Sequence, residues 1–244
     1  MTIPLRERYD LIVFDLDGTL VDSIADLATS LNHALRTLGI APLDLETVAR
    51  YVGDGARKLV ARALGEESSA ARVDAGLASF LEHYAEECTH RTVLYPGARE
   101  ALDTLRAPRG NGSPNTLAVL TNKPIRMTER ILAALGVREA FARVLGGDDA
   151  PARKPDPAGL RAIMAALAHA PWRTLLVGDS LTDARTGAAA EVDVALVDYG
   201  FQPSSLEAGL HLYRLSDLRD LLRPRRDSRR SAGTGNGPEH RDPG

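Results

Sequence analysis

Cysteine is nearly absent: Cys88 is the only one in 244 residues. An internal disulfide is therefore excluded, a usage expected of a reducing compartment, and Cys88 reads as a packed or idle thiol. Nowhere do 18 apolar residues run together, and the opening MTIPLRERYDLIVFD brings charges before any apolar stretch. Neither a membrane-spanning helix nor a secretory leader is expected, so the reading is a cytoplasmic protein with no membrane partner. Basic excess is lacking too. Lys+Arg 30 stand against Asp+Glu 33, a formal charge of −3, which argues against a nucleic-acid partner. The histidines, His33, His83, His90, His169, His211 and His240, are scattered and show neither HExxH nor any paired metal-ligand spacing, so none is given a role. A P-loop sequence is missing as well, which excludes Walker-type nucleotide hydrolysis. Small polar ligands remain.

The chain does have short apolar runs rich in β-branched residues, at 11–14, 117–120, 174–177 and 194–197, with a weaker one at 143–145. Runs of this length fit strands covered on both faces. Helix-like stretches at 98–105, 125–135, 158–167 and 182–190 separate them. This alternation predicts an α/β fold with a doubly wound parallel sheet and right-handed crossovers. One connection is different: about 100 residues lie between the first two strands, far too many for a loop. Its segment 23–84 has helical apolar spacing at Leu27, Leu31, Leu35 and Leu38, with Gly39 as a stop. An inserted all-helical subdomain over 21–92 is therefore expected, inside a core made of 1–20 and 93–222. Residues 223–244 carry six arginines against three acids and almost no large apolar side chains, which predicts a disordered, solvated tail.

The first strand runs into Asp15-Leu16-Asp17-Gly18-Thr19-Leu20-Val21-Asp22-Ser23. Open α/β sheets bind ligands beyond the carboxyl ends of their strands, so the acids stand where chemistry is expected. Period-2 spacing turns Asp15 and Asp17 to one side, and Gly18 permits a sharp turn. Two close carboxylates repel, and a hard cation such as Mg²⁺ relieves that. The 174–177 strand ends in Gly178-Asp179-Ser180-Leu181-Thr182-Asp183, which brings a third carboxylate, Asp179, to a neighbouring strand end. Thr121 and Asn122 close the 117–120 strand ahead of a helix N-terminus, and Lys154 sits in the stiff run Arg153-Lys154-Pro155-Asp156-Pro157. Together they supply donors for a phosphate. Asp22 and Ser23 read as the N-cap of the long helix.

Asp15-Leu-Asp-Gly-Thr, Thr121-Asn, Lys154-Pro and Gly178-Asp179-Ser-x-x-Asp183, in this order, resemble the four motifs of the haloacid dehalogenase superfamily over residues 9 to 200. The insertion resembles that superfamily's helical cap. The resemblance implies that Asp15 is a nucleophile and Asp17 a general acid and base. It implies Mg²⁺ bound by the Asp15 carboxylate, the Asp17 carbonyl and Asp179, and a phosphoryl group bound by Thr121 and Lys154. Asp183 and Thr19 would support from behind, and Asn122 would assist substrate binding. An acid at position 17 favours phosphate-ester hydrolysis over dehalogenation. Within the superfamily, Val52-Gly-Asp-Gly-Ala56 and Gly146-Gly-Asp-Asp149 are similar to phosphoglycolate phosphatases. That implies a small phosphorylated metabolite, 2-phosphoglycolate, as substrate for a monomer or homodimer. Gly53, in a turn whose amides face a small carboxylate, and Arg57 or Lys58 are then the expected cap contacts. Other readings stay open: a phosphatase of an amino-sugar 6-phosphate or pyrophosphate, a sugar-phosphate mutase, or a non-catalytic binding protein.

Overall fold

The computed structural model describes residues 3–65, 67–201, 212–215 and 217–225. Its centre is a six-stranded, all-parallel sheet of β1 (Leu11–Phe14), β2 (Thr116–Leu120), β3 (Arg143–Leu145), β4 (Thr174–Gly178), β5 (Asp193–Val197) and β6 (Leu212–Leu215). They lie in the order β3-β2-β1-β4-β5-β6. The first five are the expected strands. β6 was not foreseen, because its LYRL lacks the continuous apolar run that marks the others.

Between β1 and β2 come α1 (Ile24–Thr37), α2 (Leu45–Tyr51), α3 (Ala56–Leu64), α4 (Ala70–Glu87) and α5 (Ala98–Arg106). α6 (Ile125–Ala134), α7 (Ala158–Ala166) and α8 (Leu181–Ala190) connect the later strands. All four β1 residues are buried, and their alternation divides them between two cores. Ile12 and Phe14 pack with residues of α5 and α6 on one face, while Leu11 and Val13 pack with residues of α7 and α8 on the other. Both faces are thus covered, which is why the strands read as unbroken apolar runs. The sheet order reverses beside β1, whose neighbours β2 and β4 pair with it at Phe14↔Val119 and Phe14↔Val177. A crevice opens at such a reversal, beyond the carboxyl ends of the strands.

Helices α1 to α4 form a cap. Its two connections to the core run side by side as a short antiparallel ribbon, Val21–Asp22 against Val93–Leu94. α4 buries Val73, Gly76, Phe80 and Tyr84, one stripe at helical spacing. α1 packs its own stripe of Leu27, Leu31, Ala34 and Leu35 into the same core. Among the described residues no helix is long and apolar enough to cross a membrane.

Two expectations are corrected. α1 does start after Ser23, but the Ser23 side chain makes no cap bond; its hydroxyl donates to Asp17 instead, and Asp22 Oδ1 accepts from Ile24 N at 3.2 Å. A carboxylate is a strong acceptor, and the Ser23 hydroxyl is oriented by donating to it. The first residues of the predicted tail are also part of the fold: Arg223 bonds Asp220 at 2.8 Å, and Pro224–Arg225 pairs with Ile3–Pro4. The rest of the predicted tail, 226–244, lies outside the described residues.

The cap is anchored by one buried carboxylate. Asp26, fully buried in α1, accepts from the backbone N–H of Arg91 and Thr92 and from the Thr92 hydroxyl, at 2.8 to 3.1 Å. It thereby ties the start of the cap to its return. Asp26→Ala strips these donors of their acceptor inside the protein, so unfolding in urea should show a loss of about 3 kcal/mol, with Asp26→Asn less severe.

Candidate active site

The strand pairing of β1 continues for one residue beyond it, since Asp15 N donates to Val177 O at 2.8 Å. The chain then turns back: Leu20 N and Val21 N both donate to Leu16 O, and Gly18 N donates to Val21 O. Gly18 has φ +81°, and a Cβ there would lie 2.2 Å from Asp179 Oδ2. Only glycine permits both the left-handed turn and the close approach of the acid. At the end of β4 a Cβ on Gly178 would lie 2.3 Å from Asp183 Cγ, so this acid too is packed onto bare backbone.

Asp15, Asp179 and Asp183 consequently converge, with one carboxylate oxygen from each lying within 4.8 Å of the others, and all three are buried. Lys154 Nζ stands 2.8 Å from Asp15 and 2.6 Å from Asp183. Asp183 also closes a capping box with Ser180, whose hydroxyl donates to it at 2.6 Å. Phe201 N donates to Asp179 at 2.8 Å. Burial pushes the Asp15 carboxyl from its ordinary 3.8 up to about 6; Asp183 and Asp17 add to the rise, and Lys154 opposes it. Burial, then Asp183 and Asp15, hold Asp179 well above the usual range. For Lys154, burial alone would lower the ammonium, but Asp15 and Asp183 outweigh it and raise it.

Three carboxylates against one ammonium leave two negative charges unmatched when all are ionised. An all-oxygen donor set with that deficit fits a hard divalent cation, and Mg²⁺ is the usual occupant where waters and phosphate complete the shell. The carboxylate of Asp17 lies outside this cluster. Lys123 Nζ lies 2.9 and 3.0 Å from its two oxygens, and Ser23 donates to it at 2.5 Å. Asp183, expected in a supporting role, is part of the cluster itself.

Asp15, Asp17, Thr121, Asn122 and Lys123 line a small cavity of about 40 Å³ beneath the cap. The cap contributes an apolar roof of Leu27, Val52, Leu59, Phe80 and Tyr84. Thr121 is buried at the wall, and its hydroxyl oxygen accepts from Lys123 N at 3.3 Å. Asn122 has a different task from the one expected. Its Nδ2 donates to Gly53 O in the cap at 3.0 Å and to Lys154 O at 2.9 Å, so it joins the cap turn to the backbone of Lys154. Gly53 therefore presents a carbonyl to the core at this contact.

Two expected contributors lie elsewhere. Arg57 pairs with Asp74 within the cap, on an outer groove, and Lys58 is exposed. α3 buries the opposite face, Leu59 and Val60, which turns both cations outward. Thr19 is buried behind the turn, with its carbonyl accepting from Tyr199 Oη at 2.9 Å. Sequence reasoning missed Ser23 as a partner of Asp17, and it missed Lys123 and Tyr84. Lys123 does follow Thr121-Asn122 directly at a strand end, a signal that was within reach. Tyr84, whose ring centroid is 4.6 Å from Lys123 Nζ, comes from a distant helix that no local pattern connects to the site.

The family model described as haloacid dehalogenase-like hydrolase matches residues 12–197. A phosphoglycolate phosphatase of Rhodospirillum rubrum is 42% identical over 197 residues, covering 78% of this chain and 80% of that protein. One from Pseudomonas putida is 40% identical over 219 residues, covering 87% and 78%. Among solved structures, a predicted phosphoglycolate phosphatase from Haemophilus somnus superposes with a TM-score of 0.77 at 30% identity, covering 88% of this chain and 97% of that one. With its acids, lysine and cap in this arrangement and relatives of this kind along most of its length, the chain belongs to the haloacid dehalogenase-like hydrolase family and is a phosphatase.

Proposed function

We propose that this phosphatase hydrolyses 2-phosphoglycolate to glycolate and phosphate, with Mg²⁺ bound at Asp15, Asp179 and the Asp17 carbonyl and with Asp183 steadying the cluster. The observation that carries the reading is the bridging of Asp15 and Asp183 by Lys154 beside Asp179, with Asp17 facing the same cavity. The relatives named for phosphoglycolate support this substrate. When bound, Mg²⁺ supplies positive charge for the acids and for the phosphoryl oxygens.

Asp15 attacks phosphorus through a carboxylate oxygen, forming an O–P bond as the bond from phosphorus to the glycolate oxygen breaks. Asp17 donates a proton to the departing oxygen. In the second half, water attacks phosphorus, Asp17 takes a proton from it, and the Asp15 carboxylate is released with inorganic phosphate. Lys154 and Thr121 face the charge that builds on the phosphoryl oxygens, and their burial strengthens that interaction. The apolar roof excludes competing water during the first transfer. The buried free thiol of Cys88 accords with a cytoplasmic location.

Asp15→Asn should reduce turnover by at least about 10⁴-fold while circular dichroism stays native, since it removes the nucleophile. Asp17→Asn should slow alkyl phosphate hydrolysis by about 10²–10⁴-fold yet spare an activated nitrophenyl ester in the first half-reaction. Parent-rate hydrolysis of alkyl esters by Asp17→Asn would refute its role. The raised carboxyls of Asp15 and Asp179 give a pH test. The folded, metal-free protein binds more protons than the unfolded chain, so its stability should fall as pH rises from about 4 through about 6 and beyond. Melting curves in chelator should show that decline. Mg²⁺ at a hundredfold excess over its Kd should raise the pH 8 midpoint by roughly 5–10 °C.

A further inference from the structure

A phosphorylated carboxylic acid carries a second negative charge, and the cations expected to meet it, Arg57 and Lys58, face away from the cavity. Resting on the substrate reading above, we propose that Lys123 receives the substrate carboxylate and selects for it. Lys123 is the only cation among the cavity-lining residues. Lys154 is engaged with Asp15 and Asp183 and is not part of that lining. The Lys123 side chain is only 3% exposed.

A lysine ammonium has three donors. Two acceptors, the oxygens of Asp17, stand at 2.9 and 3.0 Å. The Tyr84 ring faces the ammonium at 4.6 Å and attracts a cation without offering a proton acceptor of comparable strength. A third donor is thus available to an acceptor in the cavity. The roof of Leu27, Val52, Leu59 and Phe80 offers no charge of either sign, so an incoming carboxylate has one favourable place to go. The same wall carries Asp15 and Asp17, which repel an anion. Lys123 lies against Asp17 and screens that repulsion. With the Lys123 side chain almost wholly buried both effects are strengthened, and a neutral group in place of the carboxylate forfeits them.

The role predicts a selectivity that a merely structural lysine would not confer. Initial rates on 2-phosphoglycolate and ethyl phosphate, which differ by a carboxylate against a methyl, should be compared for the wild type and for Lys123→Met, Lys123→Arg and Arg57→Ala. Lys123→Met should lose about 30-fold or more in kcat/KM on phosphoglycolate beyond its loss on ethyl phosphate, chiefly through KM. Any displacement of Asp17 lowers both rates and cancels in the ratio. Lys123→Arg should recover part of the preference, and Arg57→Ala should keep all of it. Equal losses on the two esters, or loss of the preference in Arg57→Ala alone, would overturn the role of Lys123. If Lys123→Met does not fold, the neutral, polar Lys123→Gln gives the same comparison, and an unchanged ratio in that variant overturns the proposal. A wild type that shows no preference between the esters would overturn the substrate reading as well, whereas a preference that survives in Lys123→Met overturns only this proposal.

Discussion

Taking an ammonium out of water costs several kcal/mol, and Lys154 is buried only because two carboxylates lie 2.8 and 2.6 Å away. The converse is equally binding. Asp15, Asp179 and Asp183 crowd into one buried volume, where Lys154 neutralises one of the three charges. The rest of the site follows from that imbalance. With burial as the larger cause, it raises the carboxyls of Asp15 and Asp179, it favours a divalent cation, and it requires a backbone shaped to bring the acids together. Gly18 and Gly178 serve the last requirement, since a methyl at either would occupy space that an aspartate fills. Asp183 meets Lys154 with one oxygen and Ser180 with the other, so the N-terminus of α8 and the charge cluster are fixed by the same side chain.

The cap depends on this core through a few polar contacts set in an apolar contact surface. Asn122 joins Gly53 to the Lys154 backbone, and Thr182 donates to Asp54 at 3.3 Å. A movement of the cap turn is therefore felt directly at the segment that carries the lysine. Asp26 fixes the other end, where the two connections of the cap pass each other. Between those ends the roof is hydrocarbon, which can close over a ligand without demanding matched partners.

How much of this was legible in the sequence depends on the range of the interaction. The strands of the sheet stand out because both faces are covered, and Asp15, Thr121 and Asp179 fall at strand ends where a doubly wound topology gathers ligands. Glycines beside the acids signal close packing. Contacts between cap and core carry no such signature. The face of α3 that points inward decides whether Arg57 reaches the cavity, and that face is set by Leu59 and Val60 packing against the rest of the cap. Ser23 illustrates the same limit at short range, because a hydroxyl before a helix has two acceptable partners and only the folded turn brings Asp17 close enough to win.

Two acids separated by one residue are assigned opposite surroundings here. Asp15 lies in the cluster of carboxylates beside Lys154, surrounded by negative charge that favours a cation. Asp17, one turn of the chain later, faces a different ammonium, Lys123, and a hydroxyl, at the wall of the cavity where a leaving group would stand. The function proposed above gives the two acids different tasks, and identical side chains cannot enforce that by themselves. Different partners can: Asp15 shares Lys154 with Asp183 inside the acidic cluster, whereas Asp17 faces Lys123, which stands just past the end of β2. The turn at Gly18 makes this possible by moving Asp17 out of the cluster while keeping it within the same cavity.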